Sequence, residues 1–561
     1  MHGFEGAPAV EETSLSTGPW WKELNRYHWF VLLVSVLGWL FDTMDQQLFN
    51  LARGPAILEL HGPQDAQFFG GLATTIFMLG WASGGIVFGI MGDRYGRAKT
   101  MVITILLYSM FTGLSAASVG YWDFVFYRFL TGLGVGGEFA VGIALVAETM
   151  PDRARPHALG WLQACSAIGN ITAAFVSMGL APLEAAEMLG EWKPWRYMFV
   201  IGALPALLAL AIRRRLQEPE KWKAMRADKT QKLGSIAELL GTPWIRKRAI
   251  VGLLLSTSGV VGLWGIGFFS FELVRSVFRK TFEAEARAEG GTKIDSEFVR
   301  SLLQHPHAMG DTAKLVANAN AMVVPEAKAL YGAALKLGKE SKPVSLEAVL
   351  EFLDQDSKRP QSAEDRELRR AFAAEPIELK DGKIPHVDAI KARNKKLESR
   401  LTFWAGVNGL LLNIGAFFGI YGFSKLTQRT GRKPAFALAF SLAFVATASV
   451  FWCLTSFSHV FWMIPIMGFC QLSLFGGYAI YLPELFPTRL RSTGTSFCYN
   501  VGRYLAAAGP LLLGYLADKT FGHHGEVMAM RYAGVTMCVF FLLGLVVLPF
   551  APETKGQPLP E

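Results

Sequence analysis

The sequence carries little charge for its length, and it lacks the motifs of a soluble enzyme. Only 18% of its 561 residues are charged and 51% are hydrophobic, which is too apolar for a soluble chain of this size. It contains neither a phosphate-binding P-loop nor a nucleophile–base set. We therefore expect neither an enzyme nor an ATP-driven pump, and we expect no cofactor.

Cysteine is scarce as well. The five cysteines lie inside apolar stretches and lack the spacing of a metal site, so we expect small core residues and no bound metal. They are Cys165, Cys453, Cys470, Cys498 and Cys538. The first 26 residues are polar and contain no short apolar segment with a small-residue cleavage site, which argues against a removable signal peptide.

What the sequence does contain is a series of long apolar runs. Each is about 20 residues long, the length of a helix that crosses a hydrocarbon core of roughly 30 Å. The runs do not alternate in polarity, which excludes spanning β-strands. The twelve runs lie at about 27–50, 68–91, 100–119, 121–149, 156–180, 195–212, 247–273, 401–424, 434–455, 459–483, 493–517 and 528–550. We predict an all-α membrane protein with twelve spanning helices.

The formal charge of +9 could suggest a nucleic-acid partner, but the distribution of the basic residues argues against one. Lysine and arginine cluster in alternate loops, whereas the intervening short loops carry acidic residues. This asymmetry follows the positive-inside rule and predicts that both termini are cytoplasmic. We therefore expect the lipid bilayer as a partner, a plasma (inner) membrane location and no nucleic acid.

Three strings of residues occur twice at nearly one offset, each at the end of an apolar run. They are Glu148-x-x-Pro151-x-Arg153-x-Arg155 with Glu484-x-x-Pro487-x-Arg489-x-Arg491 (336 residues apart), Arg94-x-Gly96-Arg97 with Arg429-x-Gly431-Arg432 (335), and Pro219-Glu220 with Pro552-Glu553 (333). Such ordered matches indicate a duplicated half. Duplicated helical bundles are common in transporters, whose substrate sites lie where the repeats meet.

The repeat predicts how the chain is divided. We expect a cytoplasmic segment at 1–26, a six-helix bundle at 27–212, a cytoplasmic linker at 213–246, span 7 at 247–274, a soluble insert at 275–400, spans 8–12 at 401–550, and a cytoplasmic tail at 551–561. The insert is rich in charge and has helical periodicity at 345–353 and 363–374. We expect it on the outer face, as a solvated spacer rather than a binding module.

A long motif follows the second apolar run and carries a resemblance. Gly89, Gly92, Asp93, Arg94, Gly96, Arg97 and Lys99 fit G-x-x-x-D-R-x-G-R-x-K. This resembles the signature loop of the major facilitator superfamily, in which two six-helix bundles rock about a central site. The glycines would let helices approach closely, and the charges could form a network that holds one conformation and releases it in another.

The resemblance extends over nearly everything except 1–25 and 275–400. The string around Glu148 and its second copy at 483–494 resemble the sugar and organic-ion branches, and 552–556 resembles the C-terminal tag of sugar porters. It implies gating roles for Gly89, Asp93, Arg94, Gly96, Arg97, Glu148, Arg153, Arg155, Arg429, Arg432, Glu484, Arg489 and Arg491. In the second copy Gln428 replaces Asp93 and Ser424 replaces Gly89, so we expect the two clusters to contribute unequally.

Four residues are candidates for proton coupling. Asp42 and Asp45 are three residues apart and lie on one face of the first span, where bare carboxylates are costly. Arg128 in span 4 could pair with them, and its surroundings resemble the proton-linked motif of the superfamily. Asp-x-x-Asp is similar to the first span of aromatic-acid:proton symporters. Glu138 is a further candidate, and a structural ion pair is the alternative interpretation.

The substrate candidates point to two classes of solute. Arg503 could bind a carboxylate bidentately, as the resemblance to organic-anion symporters implies, or it could pair with an acid of its own half. Gln163 matches the substrate-contacting glutamine of sugar porters, but span 7 lacks their Gln-Gln pair and offers Trp264 instead. Asn170, Asn408 and Asn413 could line a cavity or join helices.

These patterns favour a monomeric secondary transporter that carries a small organic acid together with a proton. A proton-coupled sugar or polyol porter is the alternative. A membrane receptor that does not transport, and that senses an outer ligand through the insert, is the alternative from another class.

Overall fold

The computed structural model describes residues 19–61, 66–185, 188–189, 192–205, 216–227, 233–267, 269–304, 322–323, 327, 386–524 and 526–560. Regular structure within these ranges is helical throughout. The predicted helical segments at 345–353 and 363–374 lie outside the described residues, as do much of the predicted insert and parts of the N-terminal segment and linker.

Nineteen α-helices are assigned in the described ranges. They are α1 (Arg26–Leu60), α2 (Ala66–Tyr95), α3 (Arg97–Ala116), α4 (Tyr121–Thr149), α5 (Arg155–Ala164), α6 (Ser166–Ala185), α7 (Pro194–Gly202), α8 (Glu220–Ala227), α9 (Ile236–Gly241), α10 (Pro243–Val261), α11 (Phe269–Ala286), α12 (Thr292–Gln304), α13 (Val387–Thr430), α14 (Arg432–Cys453), α15 (Phe457–Glu484), α16 (Arg491–Ala506), α17 (Gly509–Tyr515), α18 (Glu526–Met537) and α19 (Val539–Val547). Short 3₁₀ segments lie at Trp20–Glu23, Thr488–Leu490, Gly522–His524 and Leu548–Phe550, and π-helical turns at Gly262–Gly267, Arg287–Gly291 and Leu516–Thr520.

Within the described part of the chain, nine helical stretches are long and apolar enough to cross a membrane. They are Arg26–Ile57, Phe69–Tyr95, Arg97–Ala116, Tyr121–Thr149, Arg155–Leu180, Gly406–Thr430, Arg432–Cys453, Phe457–Glu484 and Val527–Phe550. The runs predicted at 195–212, 247–273 and 493–517 are not among them. In the first, α7 ends at Gly202 and 206–215 lies outside the described ranges. In the second, α10 carries three successive cations near its start. In the third, the helix is interrupted after Ala506.

The two repeats build the same helix contact. In the first half α2 packs on α4, and in the second half α13 packs on α15. A Cβ atom at Gly84 would overlap the carbonyl oxygen of Leu133, and a Cβ atom at Gly419 would overlap that of Phe469. These positions are related by the offsets found in the sequence, 335 and 336 residues. The duplicated halves therefore share their backbone packing.

The third sequence match is corrected by the structure. Gly96 and Gly431 both adopt positive φ, 120° and 95°, just before a helix begins. At the first turn the Glu218 carboxylate accepts hydrogen bonds from backbone N–H groups of α3, and at the second Glu553 accepts from those of α14. Glu220, the residue matched from sequence, is 86% exposed instead. The match was wrong because the carboxylate must reach a helix N-terminus, which Glu218 does.

Glu553 illustrates the strength of this cap. Burial disfavours its charged form, but the backbone N–H groups of Arg432, Lys433 and Lys555 stabilise the carboxylate more. The net effect is that the pKa of Glu553 is lowered from its ordinary value.

A buried charge network ties the two halves together near the ends of α2, α4 and α15. Arg97 Nη2 lies 2.9 Å from Glu148 Oε1, and Arg491 Nη1 lies 3.0 Å from the same oxygen. Asp93 Oδ1 lies 2.8 Å from Arg97 Nη2. These four side chains are fully buried, and only Arg491 comes from the second repeat. One carboxylate of the first half thus forms ion pairs with an arginine from each half.

Asp93 makes a second connection between the halves. Its carboxylate accepts hydrogen bonds from Ser492 N at 3.2 Å, Thr493 N at 2.8 Å and Thr493 Oγ1 at 2.6 Å, at the first turn of α16. A carboxylate at a helix N-terminus is favourable because it satisfies free N–H groups and opposes the helix dipole. At the equivalent position of the second repeat, Gln428 Nε2 is buried without a hydrogen-bond partner in the described ranges. The two loops are therefore unequal in structure.

The remaining predicted gating residues stay mostly within one half. Arg432 donates two hydrogen bonds to the Glu484 carboxylate, at 3.0 and 2.8 Å. Arg97 makes the same bidentate contact with Glu148 in the first half. Three further arginines form ion pairs: Arg153 with Glu23, Arg155 with Asp152 and Arg489 with Glu238. Arg94 donates a hydrogen bond to Leu233 O, and the backbone oxygen of Arg429 accepts one from Lys555. Gly89 packs against Ser496 of the other half.

We predict that Glu148→Gln destabilises the protein strongly. The variant leaves Arg97 and Arg491 buried beside each other without the shared carboxylate, and breaking such a buried pair costs about 3–5 kcal/mol. The midpoint of thermal unfolding in detergent measures the effect. Glu220→Gln, which removes an exposed acid paired with Lys223, is the control and should change the midpoint little. Equal midpoints for the two variants would contradict this assignment.

Candidate functional site

A cavity lies where the two repeats meet. Its lining comes from both halves: α1, α2, α5 and α6 on one side, and the π-turn after α10 with α11, α13, α15 and α16 on the other. The lining residues are Trp39, Thr43, Gln46, Gln47, Asn50, Trp81, Gln163, Ser166, Asn170, Leu263, Trp264, Phe271, Leu412, Asn413, Leu472, Phe475, Tyr499 and Arg503. Among the described residues, the lining is thus mainly aromatic and amide, with a single cation and no carboxylate.

Arg503 is the cation, and aromatic rings hold it in place. Its Cζ atom lies 3.4 Å from the centroid of the Trp81 ring and 4.5 Å from that of Tyr499. The side chain is nearly fully buried, and its Nε and Nη1 atoms have no hydrogen-bond partner within the described residues. Stacking compensates part of the desolvation cost of the guanidinium while leaving its in-plane N–H groups available. The site can therefore receive an anion.

Other polar groups of the lining are also available to a solute. Gln46 Nε2, Gln163 Oε1 and the indole N–H groups of Trp39 and Trp81 are buried without partners among the residues described. Asn170 Nδ2 donates to Asn413 Oδ1 at 2.9 Å, which joins α6 of the first half to α13 of the second. A solute that separates the halves would compete with this amide–amide bond.

Five of the six predicted substrate residues line this cavity. They are Gln163, Asn170, Trp264, Asn413 and Arg503. Asn408 does not, because its amide donates to Ser270 Oγ at 3.3 Å inside the second half.

Sequence reasoning missed Trp39, Gln46, Trp81 and Tyr499. A signal existed for α1, where Trp39, Thr43, Gln46 and Asn50 recur at helical spacing and so share one face. The sequence gives no comparable sign for Trp81 or Tyr499.

Of the two aspartates in α1, Asp45 has partners. Its Oδ1 accepts a hydrogen bond from Thr112 Oγ1 at 2.7 Å, and its Oδ2 lies 3.6 Å from Arg128 Nη1. Arg128 also donates to Ser115 Oγ at 2.9 Å and Thr131 Oγ1 at 3.0 Å, and its Cζ lies 4.5 Å from the centroid of the Phe199 ring. Asp45 and Arg128 thus form a compensated pair away from the cavity lining.

Asp42 and Glu138 are buried without compensation of this kind. Neither carboxyl oxygen of either residue has a hydrogen-bond partner in the described part of the chain. Glu138 of α4 contacts α1 at Gly38, where any side chain would overlap its Oε1 atom. Gly38 lies one helical turn before Asp42, so both acids lie at the same α1–α4 contact and interact electrostatically.

Comparison with known proteins agrees with this arrangement. The family model described as Major Facilitator Superfamily matches residues 35–284. A Cupriavidus pinatubonensis protein assigned to 4-methylmuconolactone transport is 24% identical over 92% of this chain and 89% of its own length. The benzoate transport protein of Acinetobacter baylyi is 30% identical over 35% of this chain and 41% of its own length.

A solved structure shares the fold. The proton:xylose symporter XylE bound to 6-bromo-6-deoxy-D-glucose aligns with a TM-score of 0.58 and 17% identity, over 95% of this chain and 98% of that one. At this identity the likeness concerns the fold alone. Residues 35–284 match the family model, the helical halves are duplicated and a cavity lies between them. The chain is therefore similar to the transporters of the major facilitator superfamily, and it is a multi-pass membrane transporter rather than an enzyme.

Proposed function

We propose that this transporter carries a small organic acid together with a proton, by alternating access between the two halves. The observation that carries the proposal is Arg503, a buried cation in the central cavity with N–H groups that no described residue occupies. Burying an unpaired charge is costly, so a site of this kind favours a solute that brings a negative charge. The relatives assigned to benzoate and 4-methylmuconolactone transport support the same class of solute.

Proton coupling is proposed for the acids at the α1–α4 contact. Two adjacent carboxylates without hydrogen bonds in a low-dielectric interior disfavour the doubly charged state. Asp42 also lies within electrostatic range of Arg503. When an organic anion takes over the charge of Arg503, Asp42 loses that compensation and gains from binding a proton. Anion and proton would therefore bind together. Asp45 and Arg128 would support this region as an ion pair.

Alternating access needs a gate that opens and closes. We assign this role to the buried network of Asp93, Arg97, Glu148 and Arg491, because it joins the halves and must break when they separate at that end. The second-repeat pair, Arg432 with Glu484, lies within one half and would keep its local shape during the motion.

The proposal also covers the number of membrane spans, the membrane topology and the oligomeric state. The three interrupted segments at 195–212, 247–273 and 493–517 would complete twelve spans in two bundles of six, with the insert 275–400 between spans 7 and 8 on the outer face. The charge asymmetry of the loops supports cytoplasmic termini in the plasma (inner) membrane. We propose that the protein works as a monomer.

A sugar or polyol is the second candidate class of solute. The amide groups of Gln46, Gln163, Asn170 and Asn413 in the lining can hydrogen-bond to hydroxyl groups. For such a neutral solute Arg503 would be mainly structural. The following experiment separates the two classes.

We predict that Arg503→Lys weakens benzoate binding and that Arg503→Ala weakens it further. Lysine keeps the charge but loses the planar fork that matches a carboxylate, whereas alanine removes both. Loss of a buried charge pair costs on the order of 2–5 kcal/mol, or roughly 30- to several-thousand-fold in affinity. Isothermal titration of the purified variants with benzoate and with neutral benzamide measures the effect.

Arg531→Ala is the matched control, because this arginine donates to backbone carbonyl groups far from the cavity lining. Unchanged benzoate affinity in a stably folded Arg503→Ala protein would contradict the organic-acid assignment. Binding of a neutral sugar by that same variant would then favour the second class.

We predict different results for the two aspartates of α1. Asp42→Asn should abolish benzoate accumulation driven by a proton gradient and leave counterflow, because asparagine keeps the size but cannot carry the proton. Asp45→Asn should mainly lower thermal stability, because it leaves Arg128 without its carboxylate partner. Proteoliposome uptake and thermal unfolding of both variants test this. Gradient-driven accumulation that survives in Asp42→Asn would contradict the assignment of the proton to Asp42.

A further inference from the structure

We infer that a stack of five side chains couples the proton site to the anion site, and that Phe139 and Tyr499 are its positioning residues. The inference rests on the proposed function, because it concerns how a proton at Asp42 and Glu138 affects an anion at Arg503. It assigns roles to two aromatic residues that the sequence analysis does not single out.

The stack is continuous and crosses between the halves. The ring centroids of Trp39 and Phe139 are 4.7 Å apart, and those of Phe139 and Tyr499 are 4.1 Å apart at an interplanar angle of 24°. Arg503 Cζ lies 4.5 Å from the Tyr499 centroid and 3.4 Å from that of Trp81. Trp39, Phe139 and Trp81 belong to the first half, whereas Tyr499 and Arg503 belong to α16 of the second.

One end of the stack lies at the carboxyl pair. Phe139 directly follows Glu138 in α4, and Trp39 lies three residues before Asp42 on the same side of α1. Gly38 is part of this contact, because Glu138 Oε1 occupies the space that a side chain at position 38 would need. A change in the separation of α1 and α4 at the acids therefore changes the position of the Phe139 ring, and through it that of Tyr499.

The other end of the stack holds the anion site. Tyr499 and Trp81 lie on the Arg503 guanidinium and fix its orientation toward the cavity. Trp81 in turn meets Trp264 of the second half edge-to-face, with centroids 5.4 Å apart. The contacts Phe139–Tyr499 and Arg503–Trp81 join opposite halves, so both must slide or separate when the halves rock. The geometry of the stack thus depends on how the halves are placed, which is what coupling requires of such an element.

The charges around this element set the direction of the coupling. Among the described residues, four groups interact electrostatically with the carboxyl pair: Asp45 of α1, Tyr108 of α3, and Tyr499 and Arg503 of α16. Arg128 of α4 forms an ion pair with Asp45 instead. Protonation removes the repulsion between Asp42 and Glu138 and lets α1 and α4 stay in contact, which keeps Phe139 on Tyr499 and Arg503 in place. Proton and anion then favour the same conformation, and each strengthens the binding of the other.

The test compares Phe139→Leu and Tyr499→Leu with wild type in proteoliposomes, using radiolabelled benzoate. Leucine keeps an apolar side chain but removes the ring from the stack. We expect accumulation driven by an inward proton gradient to fall at least about fivefold in both variants, the lower end of typical coupling factors. Counterflow should remain in Phe139→Leu, because Phe139 is not among the residues that line the cavity.

Phe124→Leu is the matched control. Phe124 is a fully buried phenylalanine of the same helix, but it packs against Trp195 and Phe199, outside the stack. It should keep its accumulation, which separates coupling from a general loss of packing. If one stack variant does not fold, the other decides the question.

Three outcomes would overturn the inference and can be told apart. Wild-type protein that never accumulates benzoate under a proton gradient would overturn the proposed function and the inference with it. Wild-type protein that accumulates benzoate, together with leucine variants that do so equally well, would overturn the inference alone. A purely structural role predicts that counterflow and accumulation fall in parallel, which would also count against coupling.

Discussion

The cost of placing charge at membrane depth governs this structure. Hydrocarbon offers no solvation, so each buried ionisable group must find a partner, become neutral or await a ligand. Arg97, Glu148 and Arg491 satisfy one another, and Asp45 lies beside Arg128. Arg503 is held by aromatic rings instead, and the acids at the α1–α4 contact have no hydrogen-bond partner among the residues described. The groups with complete partners hold the protein together, whereas the incompletely compensated groups are those we propose to act in transport.

The duplication explains much of the architecture, and its departures explain the rest. Equivalent glycines place equivalent helices in contact, and equivalent forks join Arg97 to Glu148 and Arg432 to Glu484. The symmetry ends where Asp93 is replaced by Gln428. Only the first loop caps α16 of the other half, so only the first loop ties the halves together by a carboxylate. The gate that we propose is built from one cluster, so it can open without breaking the internal structure of the second half.

Sequence reasoning succeeded where a local rule acts. The apolar runs follow from bilayer thickness and the repeat from residue identity at a constant offset. Asn170 and Asn413 were named as polar groups within spans, and Gln163, Trp264 and Arg503 through comparison with the patterns of the family; all five line the cavity. The sequence match of Glu220 with Glu553 was wrong, because residue identity alone does not show which carboxylate reaches the helix N-terminus. Glu218 is the residue that does so. Asn408 obeys the same polarity rule as Asn413, yet it bonds within its own half.

The sequence by itself determined the membrane class, the two-fold repeat, the family resemblance and the charges that occur within the apolar runs, since each depends on composition or short-range spacing. Only the tertiary structure decided how those charges are paired. It placed Asp45, rather than Asp42, beside Arg128, and it set Arg503 between Trp81 and Tyr499. These contacts join residues from different helices, and their geometry depends on how the helices pack. Residues more than four hundred positions apart, such as Trp81 and Arg503, therefore meet without any sign in the local pattern.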